Sequence, residues 1–198
     1  IGVLALAGLG SGGRAMAQDD GPASTYINPF PPGDAYRILV IGDSHAEGML
    51  LGLVEAFGTD PRLQLTRKHR AITSLLRADM DEELKALDAD VQRERPLVAV
   101  VMLGIYDRIP YRPPAGRRAN VGSEDWKAEY GRRVDLVMKL LKRRNIAVYW
   151  AGLPPLRRQD ANDDAKMMNE VFRERAYLNG LKFIDIFAGF ADEDGDYT

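Results

Sequence analysis

The sequence of 198 residues predicts an α/β protein with a doubly wound parallel sheet. Its strand-like segments are continuous apolar runs without alternation, which is typical of strands buried on both faces of a parallel sheet. Segments with apolar residues at helical spacing separate these runs. Strands that alternate with helices in this way predict βαβ units and therefore the doubly wound architecture.

Four segments carry the strand pattern clearly and a fifth carries it weakly, so we expect a sheet of about five strands. The clear segments are rich in Val and Ile or are bounded by turn residues. The predicted strands are 36–41, 97–103, 146–151 and 182–186, with a weaker one near 63–66.

Four helices are expected between the strands. The clearest start is Ser123, a good N-cap that precedes Glu124 and Asp125, whose negative charges suit the N-terminal end of the helix dipole. The same helix ends in a basic last turn before Asn145, a plausible stop. The predicted helices are 46–57, 80–95, 124–145 and 162–178.

The composition excludes several classes of function. There is no cysteine, so a thiolate nucleophile, a disulfide framework and a thiolate zinc site are ruled out. His45 and His69 are the only histidines, which disfavours a multi-histidine metal centre. The net charge of −2 disfavours a nucleic-acid binder. No G-x-G-x-x-G follows a predicted strand. We therefore expect no metal and no cofactor.

The beginning of the sequence resembles a secretory signal whose basic start is missing. Residues 1–17 combine an apolar run with an A-x-A pattern, which predicts cleavage between Ala17 and Gln18 and a periplasmic or secreted protein. The run is too short to span a bilayer. A Gly/Ala-rich start, or the end of an uncleaved anchor, is the alternative. Residues 18–35 are rich in Pro, Gly and Asp and predict a linker or surface segment, and 36–198 form the predicted domain.

The last residues form an acidic segment directly after a predicted strand, and we expect the native chain to continue beyond Thr198. Asp192, Asp194 and Asp196 surround Gly195 at a spacing that resembles a calcium loop. The closing glutamate of such a loop is missing, which favours a simple turn.

In an open parallel sheet, ligand sites lie beyond the carboxyl ends of the strands, so the turns there are candidate sites. Such turns are predicted at 42–45, 104–108 and 152–155. Each alone is typical of an ordinary strand-to-helix turn. Ser44 would begin a helix, where its hydroxyl lies near positive backbone dipoles. The loop 108–122 is long enough to be functional.

Four stretches occur in order along the chain: ILVIGDSHAEGM, VVMLGIYDR, VYWAGLPPLR and FIDIFAGFADEDGDYT. Together they resemble the SGNH (GDSL-type) hydrolases, and in particular a bacterial exported branch long catalogued as a domain of unknown function. The resemblance extends from about Arg37 to Thr198. It implies a flavodoxin-like three-layer sandwich and hydrolysis of an ester by a serine nucleophile.

The resemblance also implies roles for individual residues. Ser44 takes the place of the nucleophile, and its own main-chain N–H is the first donor to the oxyanion. Ser74 stands where the family has a glycine whose N–H is the second donor. Tyr106 stands where the family has the asparagine of G-x-N-D that is the third. The supporting motif positions are Gly42, Asp43, Gly104 and Asp107, and Asp43 is expected to be structural.

A serine hydroxyl needs an adjacent base to become nucleophilic. The family supplies that base from a D-x-x-H motif near the C-terminus, which the sequence through Thr198 lacks. We therefore expect the base after Thr198. His45 adjoins Ser44, but neighbours at a helix start point in different directions, and His69 lies in a polar segment. Both are poor candidates for the base.

Three functional hypotheses remain. The first is an exported serine esterase that acts on an acyl or O-acetyl ester, with cell-envelope carbohydrate as the expected carrier. The second is a non-catalytic SGNH-like domain that binds a partner protein or a glycan, motivated by the departures at Ser74 and Tyr106. The third is an accessory subunit tethered through an uncleaved N-terminal segment.

Overall fold

The structure, a computed structural model, describes residues 35–67, 72, 74–113 and 116–197, which belong to one compact unit, Gly33–Thr198. The signal-peptide prediction for 1–17, nearly all of the predicted linker 18–35, and His69 lie outside the described residues.

Five strands and four helices alternate along the described chain. The strands are β1 (Tyr36–Gly42), β2 (Leu63–Arg67), β3 (Val98–Met102), β4 (Ala147–Ala151) and β5 (Lys182–Ile184). The helices are α1 (Ser44–Phe57), α2 (Met80–Glu94), α3 (Glu124–Arg143) and α4 (Gln159–Asn179). A short 3₁₀ turn, Phe187–Gly189, follows β5.

Several element ends differ from the sequence-based prediction by one to three residues, and two of these differences have a clear cause. Strand β5 stops at Ile184 rather than at 186, because the Asp185 carboxylate accepts the Phe187 N–H at 3.0 Å and begins the 3₁₀ turn. Helix α4 begins at Gln159, three residues before the predicted start at 162. Its first two residues, Gln159 and Asp160, are polar and exposed, so they give no apolar periodicity to detect.

The sheet has the strand order β2-β1-β3-β4-β5, and every neighbouring pair is parallel. Strand β1 lies between β2 and β3, so the direction of winding reverses there. The carboxyl ends of β1 and β3 therefore form the switch point where open α/β sheets bind ligands. The predicted flavodoxin-like, doubly wound class is confirmed.

Alternating strand residues pack into two apolar layers, one on each face of the sheet. Helices α2, α3 and α4 share one large core with one face of the sheet, which includes Leu39, Ile41, Val101 and Trp150. Helix α1 packs on the other face, where Ala46 meets Val40, Met102 and Ala151. Among the residues that the structure describes, no helix combines the length and apolarity that crossing a bilayer requires.

Helix α3 begins as the sequence predicts. The Ser123 hydroxyl accepts the Trp126 N–H at 3.3 Å, which satisfies one of the free N–H groups of the first turn. Trp126 and Tyr130, one turn apart, are fully buried and stacked with ring centroids 4.5 Å apart. This buried face is directed at the carboxyl end of the sheet, because the Trp126 indole N–H donates to the Ile109 carbonyl at 2.8 Å.

Candidate active site

Gly42 ends β1 in a conformation that no other residue fits. Its φ is +156°, and a Cβ at this position would lie 1.8 Å from the carbonyl oxygen of Met102 on the neighbouring strand. The close approach of β1 to the end of β3 therefore requires glycine. It places the turn after β1 directly beside the turn after β3.

Ser44 is the first residue of α1, and it is exposed at the rim of the sheet. The Tyr106 hydroxyl donates a hydrogen bond to Ser44 Oγ at 3.2 Å. Ser44 N–H is one of the donors that a helix start leaves without an intrahelical partner. It makes no hydrogen bond with any residue in the described ranges. The exposed hydroxyl thus lies beside a main-chain N–H that has no partner within the described ranges.

The Asp43 carboxylate is buried, with 1% of the residue exposed, and accepts three main-chain N–H groups. One oxygen accepts His45 N–H at 2.9 Å and caps α1. The other accepts Gly104 N–H at 2.9 Å and Ile105 N–H at 3.1 Å. Burial raises the pKa of Asp43, and these three hydrogen bonds oppose that rise. The contacts are those of a structural carboxylate, as the resemblance implies.

Asp107 closes the turn after β3 from the opposite side. Its N–H donates to the Gly104 carbonyl at 3.0 Å, and its side chain is fully buried. One carboxylate oxygen accepts Leu75 N–H at 2.8 Å and the other accepts the Tyr130 hydroxyl at 2.9 Å. Burial raises the pKa of Asp107, while hydrogen bonds from Ser74, Tyr130 and Leu75 lower it.

Ser74 is buried, with 5% of the residue exposed, and its hydroxyl is directed into the protein. It donates to Asp107 and accepts Leu76 N–H at 3.1 Å. The Ser74 main-chain N–H has no hydrogen bond to another of the described residues. The serine side chain that stands in place of glycine is fully engaged elsewhere, and it leaves the main-chain donor without a partner among the described residues.

The turn Gly104–Asp107 joins the predicted site residues. Successive side chains project to opposite sides of it: Tyr106 reaches outward to Ser44, and Asp107 reaches inward to the segment that holds Ser74. Ser44 and Ser74 thus border the same turn, one on each side. The structure brings together Ser44, Ser74, Tyr106 and all four motif positions at the carboxyl ends of β1 and β3.

The described part of the chain provides no histidine side chain that is hydrogen-bonded to Ser44. No hydrogen bond between the His45 ring and Ser44 occurs among the described residues, and the recorded partner of Ser44 Oγ is Tyr106. His69 lies outside them. The described part of the chain also holds no cluster of three or more His, Asp or Glu side chains suited to a metal.

The acidic segment at the end of the sequence is a turn. Asp192 Oδ1 accepts the N–H groups of Asp194 and Asp196 at 3.0 and 2.8 Å. This carboxylate oxygen accepts hydrogen bonds from the main chain, as aspartate commonly does in turns.

The sequence patterns do not single out two residues that support the site, Tyr130 and Arg133. Tyr130 donates to Asp107, and Arg133 donates to the carbonyls of Leu75 and Arg77. The only sequence signal is that a phenol and a guanidinium fall three residues apart on the buried face of a helix.

Three solved structures show how the fold compares with known proteins. A GDSL-like lipase from Bacteroides thetaiotaomicron matches with a TM-score of 0.54 and 14% identity, over 81% of this chain and 73% of the other. A catalytic mutant of an acetylxylan esterase from Geobacillus stearothermophilus matches with a TM-score of 0.54 and 16% identity, over 80% and 79%. These likenesses establish the fold.

A gut microbial diltiazem-metabolizing enzyme matches with a TM-score of 0.55 and 16% identity. The match covers 81% of this chain but only 38% of that enzyme. No functionally curated protein matches the chain.

The topology, with the Gly42–Ser44 turn at the switch point, is a fold that this chain shares with the GDSL-like lipase and the acetylxylan esterase. The chain belongs to the family described as a protein of unknown function (DUF459), whose profile matches residues 37–198.

Proposed function

We propose that this protein is a serine esterase that hydrolyses an acyl or O-acetyl ester. The observation that carries the proposal is the setting of Ser44: an exposed hydroxyl at a helix N-terminus, beside its own free N–H and the Tyr106 phenol at 3.2 Å. Helix N-termini stabilise negative charge, so this is where an oxyanion would be held.

The reaction begins when Ser44 Oγ attacks the ester carbonyl carbon and its proton passes to a base. The carbonyl π electrons move to oxygen, and this oxyanion accepts hydrogen bonds from the main-chain N–H groups of Ser44 and Ser74 and from the Tyr106 phenol. Collapse of the tetrahedral intermediate expels the alcohol, which takes up a proton from the protonated base. Water then attacks the acyl-serine, releases the carboxylic acid and regenerates Ser44.

The base is the one component that the described residues do not provide, since none of them other than Tyr106 is hydrogen-bonded to Ser44 Oγ. A phenol O–H can donate a hydrogen bond, so we assign Tyr106 to the oxyanion rather than to the proton transfer. We propose a D-x-x-H motif as the source of the base.

The acyl carrier and the location of the protein are part of the same proposal. The structural neighbours include proteins named acetylxylan esterases, which supports an O-acetylated carbohydrate. The signal-like pattern in residues 1–17 supports export to the cell envelope. Release of acetate from acetylated polysaccharide tests the carrier. N-terminal sequencing of the mature protein tests export, and a start at Gln18 excludes the tethered accessory subunit.

The mechanism is tested with a fluorophosphonate that labels activated serines. We expect one adduct per protein, located on Ser44 by peptide mass spectrometry, and none in Ser44→Ala. Ser123 is the matched internal control, because it also lies at a helix start but serves as an ordinary cap. A folded full-length protein that stays unlabelled at Ser44 refutes the esterase.

The rival function is a non-catalytic domain that binds a partner protein or a glycan. The specific observation in its favour is the Tyr106 phenol, half exposed and already bonded to Ser44 Oγ where the family has a shorter asparagine. This rival predicts that the folded protein binds a partner or glycan while Ser44 stays unlabelled.

A further inference from the structure

Arg133 of helix α3 is hydrogen-bonded to the segment that follows Ser74, the proposed second oxyanion donor. The Arg133 guanidinium donates to the carbonyl of Leu75 at 2.7 Å and to that of Arg77 at 2.9 Å, and only 8% of the residue is exposed. Its Nε donates to Glu129 at 2.6 Å, and the guanidinium lies 5.1 Å from the centre of the Tyr111 ring. Arg133 is therefore held in one orientation.

Tyr130 acts on the same segment through Asp107. Its buried hydroxyl donates to Asp107 Oδ2 at 2.9 Å, and Asp107 Oδ1 accepts Leu75 N–H at 2.8 Å. Residues three apart share a helix face, so Tyr130 and Arg133 approach the segment from one side of α3. Tyr130 holds the N–H of Leu75 through Asp107, and Arg133 holds the Leu75 carbonyl.

These two contacts fix both peptide planes that follow Ser74. A peptide unit is planar, so holding Leu75 N–H sets the plane between Ser74 and Leu75. Holding the Leu75 carbonyl sets the next plane, whose N–H, that of Leu76, donates to Ser74 Oγ at 3.1 Å. With the side chain and the following planes immobile, the Cα of Ser74 is fixed, and so is the position of its main-chain nitrogen.

We propose that Tyr130 and Arg133 are positioning residues for the Ser74 oxyanion donor. The inference rests on the proposed esterase function and assigns α3 a part in it. Neither side chain touches the reacting atoms: Tyr130 acts through Asp107, and Arg133 acts through the Leu75 carbonyl. Aim matters because a donor stabilises the transition state only when it points at the place where the oxyanion forms.

The test compares Tyr130→Phe and Arg133→Lys with Arg132→Lys. Arg132 is the matched control, because it also bonds Glu129, at 2.7 and 2.8 Å, but has no recorded contact with the segment from Leu75 to Arg77 among the described residues. The rate of hydrolysis of p-nitrophenyl acetate is divided by the number of sites that a fluorophosphonate titrates, so that unfolded protein does not count.

We expect kcat per titrated site to fall about tenfold to 100-fold in Tyr130→Phe and in Arg133→Lys, with KM within twofold of wild type. Arg132→Lys stays at the wild-type kcat. A merely structural role would lower the melting temperature and the number of titrated sites but leave kcat per site unchanged, and that result overturns the inference.

The two variants break different bonds, so either one decides the question if the other fails to fold. A wild-type protein whose Ser44 is not labelled refutes the proposed function and this inference with it. A labelled wild type with unchanged variants refutes the positioning role alone.

Discussion

Asp43 and Gly104, 61 residues apart in the chain, join the carboxyl ends of the two central strands through one buried hydrogen bond of 2.9 Å. The Asp43 carboxylate also accepts Ile105 N–H and His45 N–H, so every hydrogen bond that it accepts from the described residues comes from the main chain. One side chain thus sets the turn that carries Tyr106 and the helix start that carries Ser44.

Asp43→Asn is therefore expected to damage both stability and reactivity. The asparagine amide has only one acceptor oxygen. Its NH₂ group would face main-chain N–H groups, which cannot accept its hydrogen bonds. We expect the free energy of unfolding in urea to fall by about 1–3 kcal/mol. We also expect slower fluorophosphonate labelling of Ser44. A variant with wild-type stability and labelling would show that Asp43 is not the link between the two turns.

Tyr106→Phe removes the phenolic oxygen and nothing else. Loss of one oxyanion donor lowers turnover about 100- to 1000-fold. Tyr106 is 51% exposed, so the melting temperature should stay at its wild-type value. Steady-state kinetics on p-nitrophenyl acetate gives kcat. The companion variant is Tyr106→Asn, which introduces the asparagine of the SGNH (GDSL-type) motif. Wild-type kcat in Tyr106→Phe would remove Tyr106 from the mechanism.

Ser74→Gly introduces the glycine that SGNH (GDSL-type) hydrolases have at this position, and yet it should lower activity. The Ser74 hydroxyl bridges Asp107 and Leu76 N–H, and glycine loses both bonds and adds backbone freedom. We expect Ser74→Gly to have a lower kcat with little change in KM, and Ser74→Ala to show the same direction. If Ser74→Gly is faster than wild type, the serine hydroxyl does not support the donor.

Gly42→Ala should be among the most destabilising substitutions at the site. The added methyl would lie 1.8 Å from the Met102 carbonyl oxygen, and the strands must separate to admit it. We expect a loss of about 3 kcal/mol in urea unfolding. Gly52→Ala is the matched control, because a Cβ there meets nothing within 4 Å and α1 should gain about 0.5–1 kcal/mol. Equal stability of the two variants would contradict the close approach of β1 and β3.

The hydrogen bonds from Arg132 and Arg133 hold the pKa of Glu129 at about 2, below the ordinary 4.5. Because the folded-state pKa is depressed, this carboxylate stabilises the fold fully above pH 4.5 and loses that contribution as the pH falls to about 2. Urea unfolding of Glu129→Gln across this range should show a flatter dependence on pH than wild type. Parallel curves for the two proteins would contradict the shift.

The fold could be predicted because local patterns report burial on both faces of a sheet. The runs around Val40, Val101 and Trp150 are apolar at consecutive positions, and strands with this pattern are parallel and covered on both sides. The start of α3 was equally readable, since a serine followed by two acids is a local cap signal. The end of β5 was not, because the Asp185 bond that starts the 3₁₀ turn leaves no apolar signature.

The site was readable in part. The positions of Ser44 and Tyr106 follow from the turns after β1 and β3, which meet at the switch point of the sheet. The support beneath Ser74 could not be read, since Arg133 and Leu75 are 58 residues apart and their bond uses a carbonyl, which every residue has. Contacts to the backbone leave no residue-specific signal at the accepting end.

The length of the Gly104–Asp107 turn is fixed because its side chains make contacts on both sides, Tyr106 with Ser44 and Asp107 with Leu75. Neighbouring side chains there leave in opposite directions, one to the solvent side and one to the interior. A single inserted or deleted residue would exchange these directions, so a phenol would be driven inward and a carboxylate outward. The spacing between the strand end and the buried carboxylate must therefore remain constant for a donor side chain to stay over the nucleophile.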